Sequence, residues 1–362
     1  MKVSRTGTLA GLLVVGALAL TGCGSDDNSS TDTASKIDCA TGDLKGAGST
    51  FQKNIVAEWI KDYTAPCTQA NVDYQGIGSG AGIKQFGEGT IDFAGSDSTM
   101  KPDEQAAADA RCGSKALHLP VTAGGIAVAY NLPGVKDLQL SPKTLAGIFQ
   151  GTVRTWDDAA VKADNSGVQL PSTAITAVHR EDSSGTTKVF SSFLDKTAGG
   201  TWRLGADKEL TWPKGVQGAK GSDGVTQAVS GAEGGITYVE KSFVDASTAL
   251  AAAKVQNSAG EYAELSSGAV SEALAGATVD AKDNDIKVTI DATKITGDAY
   301  PITAVSYEIV CTKGKDAAKA ALVKSFLTYA VGDGQAAAEE TGYAPLPSAL
   351  ATQVKAAVAA LS

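Results

Sequence analysis

Apolar and polar residues alternate along most of the chain between two patterns, one typical of strands and one typical of amphipathic helices. The clearest helical stretch is 52–63, where five apolar residues fall on one face, namely Ile55, Val56, Trp59, Ile60 and Tyr63. Strand-like and helix-like segments then follow in turn at 71–77, 82–86, 116–122, 125–131, 141–149, 174–179 and 187–194. This alternation predicts an α/β fold with a largely parallel sheet.

The start of the chain departs from this pattern. Lys2 and Arg5 precede an uncharged apolar run, 9–20, which is too short for an ordinary membrane span but typical of a signal peptide. The run ends in Leu-Thr-Gly-Cys, which resembles the bacterial lipobox, whose cysteine is lipidated and becomes the mature N-terminus. A plain signal peptide with an incidental cysteine is the alternative. We predict a lipoprotein signal peptide at 1–22, then lipidated Cys23 and a flexible tether to residue 36.

This leader predicts an extracytoplasmic protein that is anchored to the bacterial cell membrane. The whole chain carries 31 Lys and Arg against 40 Asp and Glu, a formal net charge of −9. Removal of residues 1–22 deletes two basic and no acidic residues, so the mature chain becomes more acidic still. Such a charge argues against a nucleic-acid partner, which requires a basic surface. Only two histidines, His118 and His179, are present, so we predict no metal centre.

Four cysteines remain besides Cys23, namely Cys39, Cys67, Cys112 and Cys311. An even number in an exported chain favours two disulfides, and three connectivities are open at this point. A zinc site is the alternative, but no CxxC spacing supports it.

Three segments, 44–51, 74–82 and 179–187, each combine a strand end, small hydroxyl or glycine residues, and a predicted helix start. Helix starts expose unpaired N–H groups and a partial positive charge, so together these segments could bind an oxyanion. Taken singly, each is also explained by Ser and Thr as helix N-caps. The second fits a loose dinucleotide-binding fingerprint, whereas no phosphate-binding P-loop sequence occurs.

Taken together, the segments GAGSTF (46–51), YQGIGSGAG (74–82), IDFAGSD (91–97) and HREDSSGTT (179–187) resemble the four ligand-contacting segments of the periplasmic phosphate-binding proteins of phosphate-specific ABC transporters. The similarity covers nearly all of residues 42–362. It implies a two-lobed α/β fold of the periplasmic-binding-protein-like type II class, with a two-strand hinge and a ligand cleft between the lobes. Lobe I is expected at 37–120 and 302–362, and lobe II at 121–301.

The resemblance also implies a ligand set. By motif position, the phosphate contacts are Thr50, Phe51, Ser79, Asp97, Arg180, Ser184, Gly185 and Thr186, with Ser49 and Asp182 in support. Asp182 matches the carboxylate that orients the arginine. The chain departs from the commonest pattern in two places: Gln52 stands where a proline often follows, and Glu181 is an extra acid that we expect to face solvent.

Two of these residues have a clear chemical role. Arg180 can donate a fork of N–H groups to two phosphate oxygens. Asp97 would repel an anion unless the ligand brings a proton, which phosphate does near neutral pH and sulfate does not. A site of this kind rejects the analogue without the proton. The alternatives are a surface ion pair for Arg180 and a helix N-cap for Asp97.

The function implied by the resemblance is that of a monomeric, lipid-anchored receptor that binds inorganic phosphate and delivers it to ABC permease subunits, without a cofactor or catalysis. A receptor for sulfate or molybdate, an exported phosphatase and a phosphate sensor or adhesin are the alternatives. The implied hinge has two oppositely running strands, on which Cys112 and Cys311 lie equally far from the crossing points. Cys39 and Cys67 each precede a lobe I strand. We therefore predict the pairs Cys39–Cys67 and Cys112–Cys311.

Overall fold

In a computed structural model the described residues are 37–362, so the predicted signal peptide, Cys23 and the tether lie outside them. The strands are Gly42–Gly48 (β1), Ala70–Gly76 (β2), Phe93–Ser96 (β3), Ala116–Asn131 (β4), Gln139–Leu140 (β5), Thr176–Arg180 (β6), Gln217–Ala219 (β7), Gly235–Glu240 (β8), Ala251–Ala252 (β9), Lys254–Gln256 (β10), Tyr262–Ala263 (β11), Thr278–Lys282 (β12), Asp285–Thr289 (β13) and Thr303–Cys311 (β14).

The helices are Lys53–Thr64 (α1), Ser79–Glu88 (α2), Pro102–Cys112 (α3), Pro142–Phe149 (α4), Ala159–Asp164 (α5), Gly185–Thr197 (α6), Gly221–Ser230 (α7), Lys241–Asp245 (α8), Ser267–Ala275 (α9), Ala317–Ala330 (α10), Ala337–Glu340 (α11) and Ser348–Ala359 (α12). Short 3-10 helices cover Ala292–Lys294 and Asp333–Ala336. None of the helices in residues 37–362 combines the length and the apolar character that a membrane crossing requires.

The main sheet has the strand order β2-β1-β3-β14-β4-β8-β6-β7, and β9 also pairs with β4. Pairs toward its two ends are parallel: β1 with β2 and β3, and β6 with β7 and β8. The pairs in its middle are antiparallel: β14 with β3 and β4, and β4 with β8. The expectation of a largely parallel sheet was therefore wrong, because two long central strands run against their neighbours.

Strand β4 joins the two parallel parts of the sheet. The predicted strands 116–122 and 125–131 form this one continuous strand, whose first part pairs with β14 and whose second part pairs with β8. The register with β14 shifts between Ser306 and Tyr307, opposite Pro120. Proline has no N–H to donate to a ladder and is found at such irregularities. β4 and β14 run in opposite directions, as predicted for the two crossing strands.

Most helices bury their apolar faces in one large core, whereas α2 and α3 pack in a second, smaller cluster with residues of β1, β3 and β14. Helix α1 follows the predicted pattern, because Ile55, Val56, Trp59 and Tyr63 are buried. The indole N–H of Trp59 donates to the carbonyl of Gly334 at 2.8 Å. This bond joins α1 to the 3-10 helix Asp333–Ala336.

Both predicted disulfides are present. Cys39 is bonded to Cys67 with a Cα–Cα distance of 5.3 Å, and Cys112 to Cys311 with a Cα–Cα distance of 5.4 Å. The second bond joins the end of α3 to the end of β14, so the disulfide prediction is confirmed.

Candidate functional site

One side of the site is built by the loops that follow β1, β2 and β3. These strands are parallel, so their carboxyl ends meet at one edge of the sheet. The loop after β1 carries Ser49, Thr50 and Phe51, helix α2 begins with Ser79 after β2, and Asp97 directly follows β3. The side chains of Ser49, Thr50, Ser79 and Asp97 are all buried. The residues that the first three motifs singled out are thus brought together.

The other side of the site is built by the ends of β6 and β7. Arg180 is the last residue of β6, and α6 begins at Gly185 after the N-cap Ser184. The Ser184 hydroxyl accepts from the Thr187 N–H at 3.1 Å, which leaves its proton for another acceptor. Helix α7 begins directly after β7 and carries Ser222, which is fully buried. Glu181 is exposed, as predicted.

Several hydrogen bonds connect the two sides. The Gly185 N–H donates to Ser79 Oγ at 3.2 Å, and the Thr50 and Ser222 hydroxyls are 2.8 Å apart. The Thr186 hydroxyl lies 3.5 Å from Asp97 Oδ2. A Cβ atom on Gly185 would come within 2.5 Å of Ser79 Oγ, so only glycine permits this approach. The predicted residues from both sides therefore form one cluster.

The two oxygens of Asp97 differ in their partners. Oδ1 accepts from the Ser49 hydroxyl at 2.5 Å and faces the Ser306 hydroxyl at 2.8 Å. Oδ2 has only long contacts, 3.5 Å each, with the hydroxyls of Ser79 and Thr186. Burial raises the pKa of Asp97 above its ordinary value, although the two serine hydroxyls and the charge of Arg180 act in the opposite direction. Oδ2 is thus the oxygen that can accept a further hydrogen bond.

Arg180 is held by Asp182. Its Nε and one terminal nitrogen donate to the two Asp182 oxygens at 2.7 and 2.5 Å, and both side chains are almost fully buried. Burial opposes the ionisation of Asp182, but the hydrogen bonds and charge of Arg180 outweigh it, so the pKa of Asp182 lies below its ordinary value. A guanidinium has five N–H groups, so three remain available for an anion.

Phe51 differs from its expected role in one respect. Its backbone N–H, which the resemblance assigns to the ligand, donates to Ser49 Oγ at 3.0 Å. Its carbonyl accepts from the Tyr343 hydroxyl at 2.5 Å, which fixes the loop from behind. His179 lies outside the cluster of hydroxyl groups, because its ring stacks on Trp212 at 4.7 Å.

Four further residues at this site were not predicted as site residues from the sequence: Ser222, Gln52, Ser306 and Glu308. Ser222 lies at a helix start after a glycine, Gly221, which is the same local signal as in the three recognised segments. Gln52 was visible only as a departure from a pattern. Ser306 and Glu308 lie within β14 and have no local signal of a site. Their contact with the site depends on the pairing of β14 with β3.

Comparisons with known proteins identify relatives of this chain. Residues 33–333 match the PBP superfamily domain. The phosphate-binding protein PstS 3 of Mycobacterium tuberculosis is 39% identical and the PstS 2 protein of the same organism is 37% identical, each over the whole of both chains. The phosphate-binding protein PstS of Xylella fastidiosa is 34% identical over 98% of both chains.

Solved structures of similar fold are also those of phosphate-binding proteins. A high affinity periplasmic phosphate-binding protein bound with phosphate at pH 8.5 has a TM-score of 0.71 and 25% identity, covering 87% of this chain and 93% of that one. The ancestral soluble variant of the Human Phosphate Binding Protein has a TM-score of 0.70 and 26% identity over the same shares. The predicted fold class is confirmed by these matches.

Proposed function

Because the chain belongs to the phosphate-binding proteins of the PBP superfamily, we propose that it is an extracytoplasmic receptor that binds inorganic phosphate at this site and delivers it to an ABC permease for import. Receptors of this family bind their ligand without a cofactor and are not enzymes. The acidic net charge of −9 repels an anion at long range. The affinity must therefore come from hydrogen-bond donors within the site, each of which contributes about 1.5–3 kcal/mol when it binds a charged group.

The observation that carries the proposal is the combination of Arg180 with Asp97 in one buried cluster. Arg180 supplies N–H donors for two oxygens of an anion, whereas Asp97 Oδ2 supplies an acceptor with only long contacts of its own. Phosphate near neutral pH carries at least one proton and can donate it to Oδ2. Sulfate carries none, so its oxygen and Oδ2 would face each other as two acceptors. The pair therefore favours phosphate over sulfate.

The remaining donors surround the same space. Thr50, Ser79, Ser184 and Thr186 supply hydroxyl groups. The start of α6 supplies the positive end of the helix dipole with the N–H group of Thr186, and with that of Gly185 once its bond to Ser79 Oγ opens. The Phe51 N–H, which donates to Ser49 Oγ in this structure, would have to exchange that bond to bind the ligand. Ser49 and Asp182 act through Asp97 and Arg180, to which they are bonded.

The domain division extends this proposal to a mechanism. With lobe I at 37–120 and 302–362 and lobe II at 121–301, the bonds of Gly185 to Ser79 and of Thr50 to Ser222 connect the lobes at the proposed site. Phosphate that bridges both lobes would stabilise a closed arrangement, since hinge closure about a ligand is common in two-lobed receptors. Small-angle X-ray scattering tests this: the radius of gyration of a monomer should fall when phosphate is added.

Membrane anchoring is the second part of the proposal. The leader at 1–22 and the lipobox cysteine support lipidation at Cys23, with residues 24–36 as the tether. Replacement of Cys23 by serine should move the protein from the membrane fraction to the soluble extracytoplasmic fraction. Retention of the variant in the membrane fraction would contradict the lipid anchor without affecting the binding proposal.

Calorimetric titration tests the binding function directly. Phosphate-free protein, residues 24–362, is titrated with phosphate and then with sulfate, and we expect one-to-one phosphate binding and no heat with sulfate. Glu181→Gln, an exposed change beside Arg180, is the matched control and should bind like the wild type. Comparable sulfate binding would contradict the role of Asp97, and silence with both anions would contradict the proposed function.

A further inference from the structure

Behind Asp97, a line of buried polar side chains leads from the site into the sheet. Ser306 Oγ lies 2.8 Å from Asp97 Oδ1 and 2.5 Å from the side-chain oxygen of Gln52. The amide nitrogen of Gln52 lies 2.5 Å from Glu308 Oε1 and 3.2 Å from the Tyr74 hydroxyl. Gln52, Ser306 and Glu308 are at most 1% exposed. Asp97 is therefore connected to a second buried carboxyl group.

The sheet creates the space for this line. Ser306 and Glu308 are two residues apart on β14, so their side chains project from the same face. Glu308 pairs with Gly95 of β3 on one side and with Leu119 of β4 on the other. A Cβ atom on Gly95 would lie 2.1 Å from the Tyr74 hydroxyl and 2.2 Å from the Gln52 amide nitrogen. The glycine at 95 thus leaves room for the glutamine.

The hydrogen atoms available along this line do not satisfy every contact if both carboxyls are ionised. Ser306 has one hydroxyl proton, but Gln52 Oε1 and Asp97 Oδ1 both face it as acceptors. One contact would then join two acceptors with no hydrogen between them. A single additional proton removes the conflict, and it can be placed on either carboxyl.

In the first arrangement, Asp97 is protonated and donates to Ser306, which donates to Gln52, whose amide nitrogen donates to an ionised Glu308. In the second arrangement, Glu308 is protonated and the Gln52 amide is reversed, an orientation that is assigned from the network of hydrogen bonds. Glu308 then donates to the amide oxygen, the amide nitrogen donates to Ser306, and Ser306 donates to Asp97. Reversal gives up only the 3.2 Å contact with Tyr74, whose hydroxyl already donates to the Ser49 carbonyl.

The surroundings of the two carboxyls favour the second arrangement. Asp97 receives the Ser49 hydroxyl and the field of Arg180, both of which stabilise its charged form. The titratable groups that face Glu308 are Asp97 and Tyr74, and neither supplies a positive charge. Glu308 Oε2 has no hydrogen-bond partner among residues 37–362, which an ionised carboxylate tolerates poorly. Burial raises the pKa of Glu308 to about 8, and the charge of Asp97 acts in the same direction.

We propose that Glu308 carries the shared proton and that Gln52 and Ser306 relay its hydrogen bond to Asp97, which stays a charged acceptor for the ligand. Glu308 and Gln52 are then positioning residues, because they act on the ligand only through Asp97. Which carboxyl carries the proton does not depend on the proposed function. The effect of that proton on phosphate binding does rest on the proposed function. Gln52 provides the side chain that connects the two carboxyls.

Infrared difference spectra of the ligand-free protein, at about pH 6, locate the proton, because a protonated carboxyl has a carbonyl band that carboxylates and amides lack. We expect Glu308→Gln to remove one such band and Asp97→Asn to leave it in place. Loss of the band in Asp97→Asn, or in neither variant, would overturn the proposal. Asp97→Asn decides between the two carboxyls, because the amide introduced in Glu308→Gln supplies the missing hydrogen in either arrangement. If Asp97→Asn does not fold, the pH dependence of phosphate binding provides a separate test.

Glu240 provides the matched control. It is also fully buried, and burial raises its pKa to about 8. Its Oε2 accepts from the backbone N–H and the hydroxyl of Ser242, and no described hydrogen bond joins it to the line of Glu308. Glu240→Gln should therefore remove a different carbonyl band and leave that of Glu308 unchanged.

Phosphate binding gives a second readout. In Glu308→Gln, the new side-chain amide can donate to Gln52 as the protonated glutamate does, so both proteins should bind phosphate equally at about pH 6.5. At about pH 9.5 the wild type should bind roughly ten-fold more weakly than the variant, since ionised Glu308 adds a second negative charge near the ligand. The ratio of the two dissociation constants cancels the titration of phosphate itself. A constant ratio would overturn the proposal, whereas no phosphate binding by the wild type would refute the proposed function alone.

Discussion

Asp97, on the side of the site built from β1, β2 and β3, is surrounded by hydroxyl groups, whereas Asp182, on the side built from β6 and β7, is bound by the guanidinium of Arg180. Burial raises the pKa of Asp97 despite these hydroxyls. Burial also opposes the ionisation of Asp182, but Arg180 reverses the balance and the pKa of Asp182 is lowered. Two carboxylates in one cluster are thus held in opposite ways.

This difference separates two roles that the residue type alone does not distinguish. Both oxygens of Asp182 already accept hydrogen bonds, from Arg180 and from the Gly221 N–H at 2.9 Å. Asp182 therefore orients a donor. Asp97 Oδ2 has only long contacts, so it can accept a hydrogen bond from a ligand that carries a proton. The environment of a carboxyl group, more than its proximity to the ligand, therefore determines what it contributes.

Removal of Arg180 should have the largest effect. Arg180→Met deletes the ligand's charged donor and leaves Asp182 buried without its partner, so phosphate affinity should fall by about a thousand-fold or more. Calorimetry measures the loss. The exposed Arg203→Met is the matched control and should bind like the wild type. A loss below about ten-fold would show that the backbone and hydroxyl donors dominate instead.

Asp97→Asn tests the other side of the comparison. The amide can donate to a ligand oxygen, so it no longer rejects an anion without a proton. Competition binding should show the preference for phosphate over sulfate reduced by about a hundred-fold or more. Asp195→Asn, an exposed change on α6, should leave selectivity unchanged. Unaltered selectivity in Asp97→Asn would remove the acceptor role from this residue.

The sequence allowed the prediction of those parts of the site that lie at element boundaries. Thr50, Ser79 and Gly185 are recognisable because small and hydroxyl residues stand between a strand pattern and a helix pattern, and that local pattern persists in the fold. The Cys112–Cys311 bond also followed once two oppositely running strands were assumed, and the Cys39–Cys67 bond followed from two lobe I strands that each begin after one of these cysteines. These features depend on residues that are near one another in sequence or on a simple topological rule.

Ser306 and Glu308 could not be found in the same way. In β14 they alternate with the apolar residues Val305, Tyr307 and Ile309, which is the ordinary pattern of a half-exposed strand. Both are buried because β14 lies in the middle of the sheet, between β3 and β4. The position and direction of a strand within a sheet are tertiary properties, and the same limitation produced the wrong expectation of a largely parallel sheet.

The pH dependence of stability extends the comparison to the residues behind Asp97. The pKa of Glu308 rises from 4.5 to about 8 on folding, so its contribution is fully present below about pH 4.5 and is lost as the pH rises through 8. Asp182 has the opposite sign, because its lowered pKa gives stability that is lost as the pH falls. Urea unfolding should show the wild type losing about 1 kcal/mol per pH unit relative to Glu308→Gln between about pH 5 and pH 8. Equal slopes would show that Glu308 is ionised in the folded protein.

Asp182→Asn should have the smallest effect on binding, although Asp182 is bonded to the main cationic group of the site. The asparagine oxygen can still accept from Arg180 Nε and the Gly221 N–H, so part of the orientation is kept. The second Arg180 bond is lost, which weakens binding, but a negative charge near the anion is lost too, which strengthens it. These opposing terms should leave phosphate affinity within about five-fold of the wild type by calorimetry, with the preference over sulfate intact. A reduction of the preference over sulfate in Asp182→Asn by about a hundred-fold, as expected for Asp97→Asn, would mean that orienting the donor and accepting the proton are equally demanding, and the contrast between the two carboxylates would fail.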